Sequence, residues 1–119
     1  MLSGVSVERV YLAAGTTDMR MSINGLAAIV QECFELDPFS TDLYVFCNKN
    51  RDRLKILRWQ HNGFWLYLRR LDKGKINWPK STAGGGTIEV SGRELGWLLD
   101  GLSLQQEKAH VKLSPKLVV

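Results

Sequence analysis

The dipeptide Asn62-Gly63 lies between two strand-like segments, Arg53 to Gln60 and Phe64 to Leu71. Asparagine and glycine tolerate the positive φ angles of a type I′ turn, which joins two antiparallel strands through two residues. Both flanking segments are rich in the branched and aromatic residues that strands favour. The sequence therefore predicts a β-hairpin with Asn62 and Gly63 at its turn.

A turn at these two residues also determines which side chains share a face, because side chains alternate between the two faces of a strand. One face is mostly apolar, and its predicted pairs are Trp59 with Leu66, Leu57 with Leu68, and Lys55 with Arg70. The predicted pairs of the opposite face are Gln60 with Trp65, Arg58 with Tyr67, and Ile56 with Arg69. Because this second face mixes guanidinium groups with flat rings, we interpret it as a contact surface.

Before the hairpin, the sequence predicts two strands and a helix. Val7 to Ala13 is typical of a short strand, and the apolar run Leu43 to Cys47 is typical of a central strand followed by a polar turn. Between them, Ser22 to Leu36 repeats apolar residues at three- and four-residue steps, as one face of a helix requires. Asp37-Pro38 should end that helix, because proline disfavours a helical residue before it.

After the hairpin, Ile76 to Pro79 and Thr87 to Val90 are candidate short strands, separated by the flexible connection Ser81 to Gly86. Ser91 and Glu94 have the spacing of a capping box, which predicts a second helix ending near Gly101. The sequence thus predicts a single α+β domain over residues 1–104. Its antiparallel meander sheet should have about four to five strands beside two helices. Residues 105–119 form a C-terminal tail.

Composition excludes several classes of protein. The chain has 119 residues and 45% hydrophobic content, enough for one core, and it has neither a bilayer-spanning apolar run nor a signal-like start. We therefore expect a cytoplasmic protein without membrane contact. Cys33 and Cys47 lie in apolar sequence without metal-ligand spacing, so we expect two reduced, buried thiols and no metal site. No histidine, serine or carboxylate cluster indicates catalysis, and we expect neither an enzyme nor a cofactor.

Positive charge is concentrated in the middle of the chain. Residues 1–48 carry two basic and six acidic groups, residues 49–80 carry ten and two, and residues 81–119 carry four and four. The three net charges are −4, +8 and 0, which give the total of +4. Because concentrated like charge repels itself, this distribution favours a polyanionic partner.

Nucleic acid is the first such partner to consider, because lysine and arginine neutralise phosphates while aromatic rings stack on exposed bases. The candidate DNA-binding residues come from the middle segment: Lys49, Arg51, Arg53, Lys55, Arg58, Trp65, Tyr67, Arg69, Arg70, Lys73 and Lys75. Three alternatives remain open. The surface could be a solvated sheet face that binds nothing, it could meet an acidic protein, and the Asn48 to Arg53 segment could be an ordinary polar turn.

The segment Thr17 to Arg20 precedes the first predicted helix. Asp18 could cap free N–H groups of that helix, and Arg20 could pair with Asp18 or with a phosphate. We favour the structural role for this segment.

Several motifs together resemble a known family. They are TDMR at 17–20, GLAAIV at 25–30, DPFS at 37–40, VFCNKNRDRLKILRW at 45–59 and GFWLYLRRLDKGKINWP at 63–79. Over roughly residues 7–102 the chain is similar to the TnpB accessory proteins encoded by the second reading frame of insertion sequences of the IS66 family.

This resemblance implies a noncatalytic protein of a bacterial mobile genetic element that supports transposition, a form of DNA recombination, beside a separate transposase. Its expected partners are DNA, in particular the element ends, together with the transposase and another accessory protein of the same element. The alternative is a protein–protein adaptor that docks on the transposase without touching DNA. The resemblance supplies no catalytic residue.

Overall fold

The computed structural model describes residues 8–80 and 85–104, in which five strands form one sheet in the order β4-β3-β2-β1-β5. The elements are β1 (Val10–Ala13), α1 (Ile23–Ala28) continued by a π-helix (Ile29–Cys33), β2 (Leu43–Cys47), β3 (Arg53–Gln60), β4 (Gly63–Arg70), β5 (Thr87–Val90) and α2 (Gly92–Leu99). The predicted α+β class, with about four to five strands and two helices, is confirmed. The predicted tail at 105–119, Val7, and residues 81–84 of the predicted connection lie outside the described residues.

The sheet is mixed rather than a pure meander. β2, β3 and β4 pair antiparallel, as predicted, and β5 pairs antiparallel with β1. β1 and β2, however, run parallel, with Val10 opposite Leu43 and Leu12 opposite Val45. Parallel neighbours need a crossover connection, and α1 provides it. The carboxyl ends of β1 and β2 therefore lie at the same edge of the sheet.

The first helical segment ends earlier than predicted. It stops at Cys33 instead of Leu36, after one π-helical stretch in which the Phe34 N–H donates to the Ile29 carbonyl at 3.1 Å. Glu35 then adopts a left-handed backbone with φ 56°, which an α-helix cannot continue. The wider π turn also shifts the side chains that follow out of the 3.6-residue repeat on which the prediction relied.

The two cysteines differ as a result. Cys33 is exposed, so the prediction that it is buried was wrong, whereas Cys47 is fully buried in β2 as predicted. Burial raises the pKa of the Cys47 thiol to about 11, because the charged thiolate is disfavoured away from water.

The β3–β4 hairpin forms, but its turn lies one residue earlier than predicted. His61 and Asn62 are the two turn residues, with φ 52° and 65°, and Gly63 becomes the first residue of β4 opposite Gln60. Every predicted cross-strand pair is therefore wrong by two positions. Because side chains repeat every two residues along a strand, each residue still lies on its predicted face.

Aromatic packing next to the turn accounts for the observed register. Trp59 lies opposite Phe64, and their rings meet edge to face with centroids 4.9 Å apart. Phe39 contacts both rings, at 4.9 Å from Trp59 and 5.5 Å from Phe64. The predicted register would have placed Trp59 opposite Leu66 and lost this aromatic pair, which is worth about 0.5–1.5 kcal/mol beyond its buried area.

Helical segments cover both faces of the inner sheet. On the face covered by α1, Leu26 and Val30 pack against Tyr44, Phe46 and Leu57. The opposite face packs against Leu95 and Leu98 of α2 and against the segment that follows β4, the buried residues being Val10, Leu12, Val45, Cys47, Leu54, Ile76, Trp78, Val90, Leu95 and Leu98. The predicted capping box is confirmed, since the Ser91 side chain accepts from the Glu94 N–H and Glu94 accepts from the Ser91 N–H.

The segment after β4 is irregular, and the predicted strand at Ile76 to Pro79 is absent. The Trp78 indole N–H donates to the carbonyls of Ala13 and Gly15, both at 3.1 Å, so this buried ring attaches the segment to the end of β1. Within residues 8–80 and 85–104, no helix is long and apolar enough to cross a lipid bilayer.

Candidate nucleic-acid interface

Most of the predicted DNA-binding cations converge at one end of the sheet. The β2–β3 turn and the last residues of β4 meet there, because Arg53 lies opposite Arg70 and the Leu71 N–H donates to the Asp52 carbonyl at 2.7 Å. The chain after β4 returns along the same turn, where Lys75 Nζ donates to the Asn50 carbonyl at 2.8 Å. We call the exposed residues gathered there the cationic end: Lys49, Arg51, Arg53, Arg69, Arg70, Lys73 and Lys75.

The β2–β3 turn that presents these cations is held by Asn48. Its side-chain oxygen accepts from the N–H groups of Asp52 and Arg53, both at 3.1 Å, and its amide nitrogen donates to the Asp52 carboxylate at 2.7 Å. That bond holds the pKa of Asp52 below its ordinary value. Lys49, Asn50 and Arg51 therefore project from a fixed backbone instead of a loose loop.

The cationic end retains a strong positive charge. Its seven cations face the carboxylates of Asp52 and Asp72, which leaves a net charge of +5. Only Arg70 among the seven has an ion pair in the described structure, with Asp72 at 3.1 Å. Arg53 and Arg70 lie directly opposite each other, and such like-charge pairs destabilise a sheet. A fold that tolerates this repulsion is consistent with an anionic partner.

An aromatic pair continues this surface along β4. Trp65 and Tyr67 remain 53% and 44% exposed, and their rings stack with centroids 5.9 Å apart and an angle of 10° between their planes. Arg69, two residues further along β4, points to the same face. Two flat rings and a guanidinium group therefore follow one another on the outermost strand.

Arg58 lies on the predicted face but already has a partner. Its guanidinium group forms an ion pair with Glu8, and only 26% of its side chain is exposed. Its Nε is buried without a hydrogen-bond partner in the described structure. Arg58 therefore has its charge matched within the protein, unlike Arg69 on the neighbouring strand.

The charged group of Lys55 also makes contacts inside the protein. It projects from the opposite face, where its Nζ donates to the carbonyls of Met19 and Met21, both at 2.8 Å. Half-buried and doubly bonded, it attaches the loop before α1 to the centre of the sheet. Of the nine cations among the predicted DNA-binding residues, Lys55 and Arg58 are thus the two that are half-buried in internal contacts, whereas Arg70 and Lys75 have partners but remain exposed.

A cleft next to the cationic end joins two motifs that are distant in sequence. It has a volume of 490 Å³ and lies between Thr16 to Arg20 and the β2–β3 turn, with Asn48, Lys49, Asn50 and Arg53 on its far side. The two sides meet because the Thr17 N–H donates to the Cys47 carbonyl at 2.8 Å, at the shared carboxyl ends of β1 and β2. Sequence reasoning missed this cleft, since it treated the sheet as antiparallel.

Asp18 and Arg20 form a local ion pair at this cleft. Arg20 donates to both carboxylate oxygens of Asp18, at 2.7 Å from its terminal nitrogen, and these bonds lower the pKa of Asp18 to about 2. The predicted pairing is therefore confirmed, but the predicted helix cap is wrong. Asp18 accepts from the Arg20 N–H, and the helix begins after Ser22 without a side-chain cap.

In the part of the chain that the structure describes, no group of three or more histidine, cysteine or acidic side chains is arranged to hold a metal ion.

Comparisons with known proteins identify the family. Two proteins of Sinorhizobium fredii (strain NBRC 101917 / NGR234), named uncharacterized protein y4hO and uncharacterized protein y4jC, are 40% and 32% identical to the chain over 100 residues, covering 84% of each protein. No solved structure matches the chain significantly. The profile of the family described as IS66 Orf2 like protein matches residues 8–109. The chain therefore belongs to the IS66 Orf2-like family, whose members have an accessory role in the transposition of insertion sequences.

Proposed function

We propose that this protein is a noncatalytic accessory factor that binds DNA, at the ends of its insertion sequence, beside the separate transposase. The observation that carries the proposal is the convergence of seven exposed cations next to the exposed Trp65–Tyr67 stack. The two features match the two parts of a nucleic acid, since cations bind phosphates and flat rings stack on bases.

In the proposed interface, the parts of this surface have different roles. The cationic end faces the phosphate backbone, because its side chains are exposed and its charge is mostly unpaired. Trp65 and Tyr67 meet the DNA at the exposed outer strand, where unstacked bases at an element end or in a single strand would be accessible. Arg69 links the two parts, because it belongs to the cationic end and shares a face with both rings.

Lys55 and Arg58 are left out of the proposed contacts. Lys55 holds the loop before α1, and Arg58 is matched by Glu8. Releasing either charged group for DNA would leave its part-buried internal partners without that hydrogen bond, at a cost in stability. The proposed surface is therefore narrower than the eleven residues that the sequence indicated.

A gel-shift series over several salt concentrations tests the proposal. Element-end duplex, random duplex and single strands are compared for the natural chain and for Arg69→Ala. We expect affinity to fall steeply with salt, and the log–log slope to flatten by about one unit in Arg69→Ala, because each phosphate contact contributes ~0.9.

Arg9→Ala is the matched control. Arg9 is also an exposed arginine, but it precedes β1 and lies at the opposite end of the sheet, near Glu89. The log–log salt slope of Arg9→Ala should equal that of the natural chain. Salt-insensitive binding, no binding to any DNA, or an equal loss in both variants would contradict the proposed surface.

A second function is favoured by a different observation. Phe39 is 54% exposed and forms an aromatic cluster with Trp59 and Phe64 on the face opposite the Trp65–Tyr67 stack. An aromatic cluster that exposes one of its rings suits contact with another protein, so an adaptor docking on the transposase is the alternative. Copurification of transposase from nuclease-treated lysate, lost in Phe39→Ala, would favour the adaptor. Retention that needs intact DNA would favour the first function.

A further inference from the structure

The two edge strands of the sheet differ in how they are protected. β5 is a short edge of four residues, as is usual in proteins that avoid pairing with other chains. β4 is an edge of eight residues without proline, and it exposes apolar side chains on both faces, Trp65 and Tyr67 on one and Leu68, 61% exposed, on the other. None of the described residues pairs with its outer side. Such a strand is suited to pairing with another strand.

The hairpin geometry shows which backbone groups point outward. Leu71 bonds inward, since its N–H donates to the Asp52 carbonyl, and the closing pair of a two-residue turn also bonds inward. Bonding alternates along an antiparallel strand, so the odd-numbered residues of β4 bond to β3. The N–H and C=O groups of the even-numbered residues therefore face away from the protein: Phe64, Leu66, Leu68 and Arg70.

We propose that β4 pairs antiparallel with β4 of a second copy of this chain, in the register centred on Tyr67. The sequence around Tyr67 is self-complementary in this register, because Leu66 lies opposite the Leu68 position of the other copy. Even-numbered residues of one copy then lie opposite even-numbered residues of the other. The outward N–H and C=O groups of the two β4 strands can therefore form hydrogen bonds with each other.

The positions of the arginines suit a second copy in this register. Each Arg69 lies opposite the Trp65 position and each Arg70 opposite the Phe64 position of the other copy, so the four arginines meet rings instead of one another. Arginine next to an aromatic face is attracted to it. At the centre, apolar leucines lie together on one face and the two tyrosines meet on the other.

The pairing joins the five-stranded sheets that the described residues form in each copy into one continuous sheet. Its two-fold axis is perpendicular to the sheet, so the same face of both copies lies on the same side. The two Trp65–Tyr67 stacks therefore share one surface, with a cationic end at each side of the axis. The dimer itself rests on the β4 edge alone and does not require that the surface bind DNA.

Analytical ultracentrifugation of the nuclease-treated chain at low and high micromolar concentration tests for the dimer. We expect a monomer–dimer equilibrium, weakened by about tenfold or more in Leu68→Pro and in Tyr67→Lys. Proline at 68 removes only an outward N–H, which edge strands tolerate, and lysine at 67 places two like charges together on the axis. Circular dichroism confirms folding of each variant, and Arg9→Ala is the control. A chain that stays monomeric, or a dimer that both folded variants leave unchanged, overturns the proposal.

Disulfide capture tests the register. In a Cys33→Ser background, which removes the exposed native thiol, Tyr67→Cys should form a covalent dimer on oxidation with diamide. Residues facing each other in a non-bonded antiparallel pair have Cα atoms about 4.5 Å apart, within disulfide range. Trp65→Cys should not form a covalent dimer, because the residue opposite position 65 is Arg69 of the other copy. Equal crosslinking of the two variants overturns the register. Both experiments omit DNA, so their failure is separate from a failure of DNA binding.

Discussion

β2 and β4 belong to the same sheet but differ in burial and in whether helices cover their faces. β2 has helices over both faces, and four of its five residues, from Tyr44 to Cys47, are fully or almost fully buried. β4 has eight residues, none of them buried, although five of the eight are aromatic or leucine. Large apolar side chains therefore form part of the core in one strand and remain available for contacts in the other.

Position relative to the covering helices produces this difference. α1 and α2 cover the inner strands, and the packed clusters on both faces end near β3 and the first half of the hairpin. Beyond that limit the last four residues of β4, from Tyr67 to Arg70, are exposed. An apolar strand in that position is unusual for a protein that functions as an isolated monomer, and both proposals start from it.

The largest expected effect is a difference between the two strands in how much their side chains contribute to the free energy of unfolding. Phe46→Ala in β2 should lower the free energy of unfolding by about 3–5 kcal/mol, because it removes a buried ring that stacks on Phe34 and leaves a cavity. Trp65→Ala in β4 should lower it by about 1 kcal/mol or less, since that ring is half exposed. Urea denaturation measures both. Equal losses would show that β4 belongs to the core and would break the comparison.

A smaller effect separates two lysines. Lys55→Met should lower the free energy of unfolding by about 1.5–3 kcal/mol, because two carbonyls lose a charged donor. Lys73→Met, at the cationic end, should change it by no more than about 0.5 kcal/mol.

The same two variants should reverse their order in DNA binding. Under conditions where both are folded, Lys73→Met should flatten the salt slope by up to about one unit, whereas Lys55→Met should leave it unchanged. Denaturation and gel-shift measurements on the same samples check this. A flattened slope in Lys55→Met would place DNA on the opposite face.

The smallest expected effect concerns α2, the helix that packs over one face of the inner strands. Ser91→Ala should lower the free energy of unfolding by about 0.5–2 kcal/mol, because it removes the acceptor for the Glu94 N–H at the start of α2. Ser91→Asp is the matched control and should retain most of the stability, since aspartate also caps helices. Thermal denaturation measures both. A loss in the aspartate variant as large as in the alanine variant would mean that the capping box contributes little.

Local patterns predicted the elements well. The bounds of β2, β3 and β5 agree with the sequence expectation, and the capping box at Ser91 correctly marked the start of α2. The hairpin faces were also predicted correctly, although the turn was displaced by one residue, since the displacement changes the register by an even number. The concentration of charge in residues 49–80 became a spatial cluster because a hairpin returns the chain to where it began.

Several of the errors fall where distant contacts decided the outcome. The turn moved because Trp59 and Phe64 pack together with Phe39, which lies about twenty residues earlier in the chain. The roles of Lys55 and Arg58 followed from Met19, Met21 and Glu8, which no pattern around the two cations indicates.

The sequence by itself determined the α+β class, the bounds of β2, β3 and β5, the start of α2, the faces of the hairpin and the excess of positive charge in the middle of the chain. These properties depend on neighbours within a few residues, where backbone sterics and side-chain alternation act directly. Only the tertiary structure decided that β1 and β2 run parallel, that a cleft joins the Thr17 and Asn48 segments, and which cations are free. Those three features depend on how separate elements pack. A charged group or an apolar ring is available to a partner only if it makes no contact inside the protein.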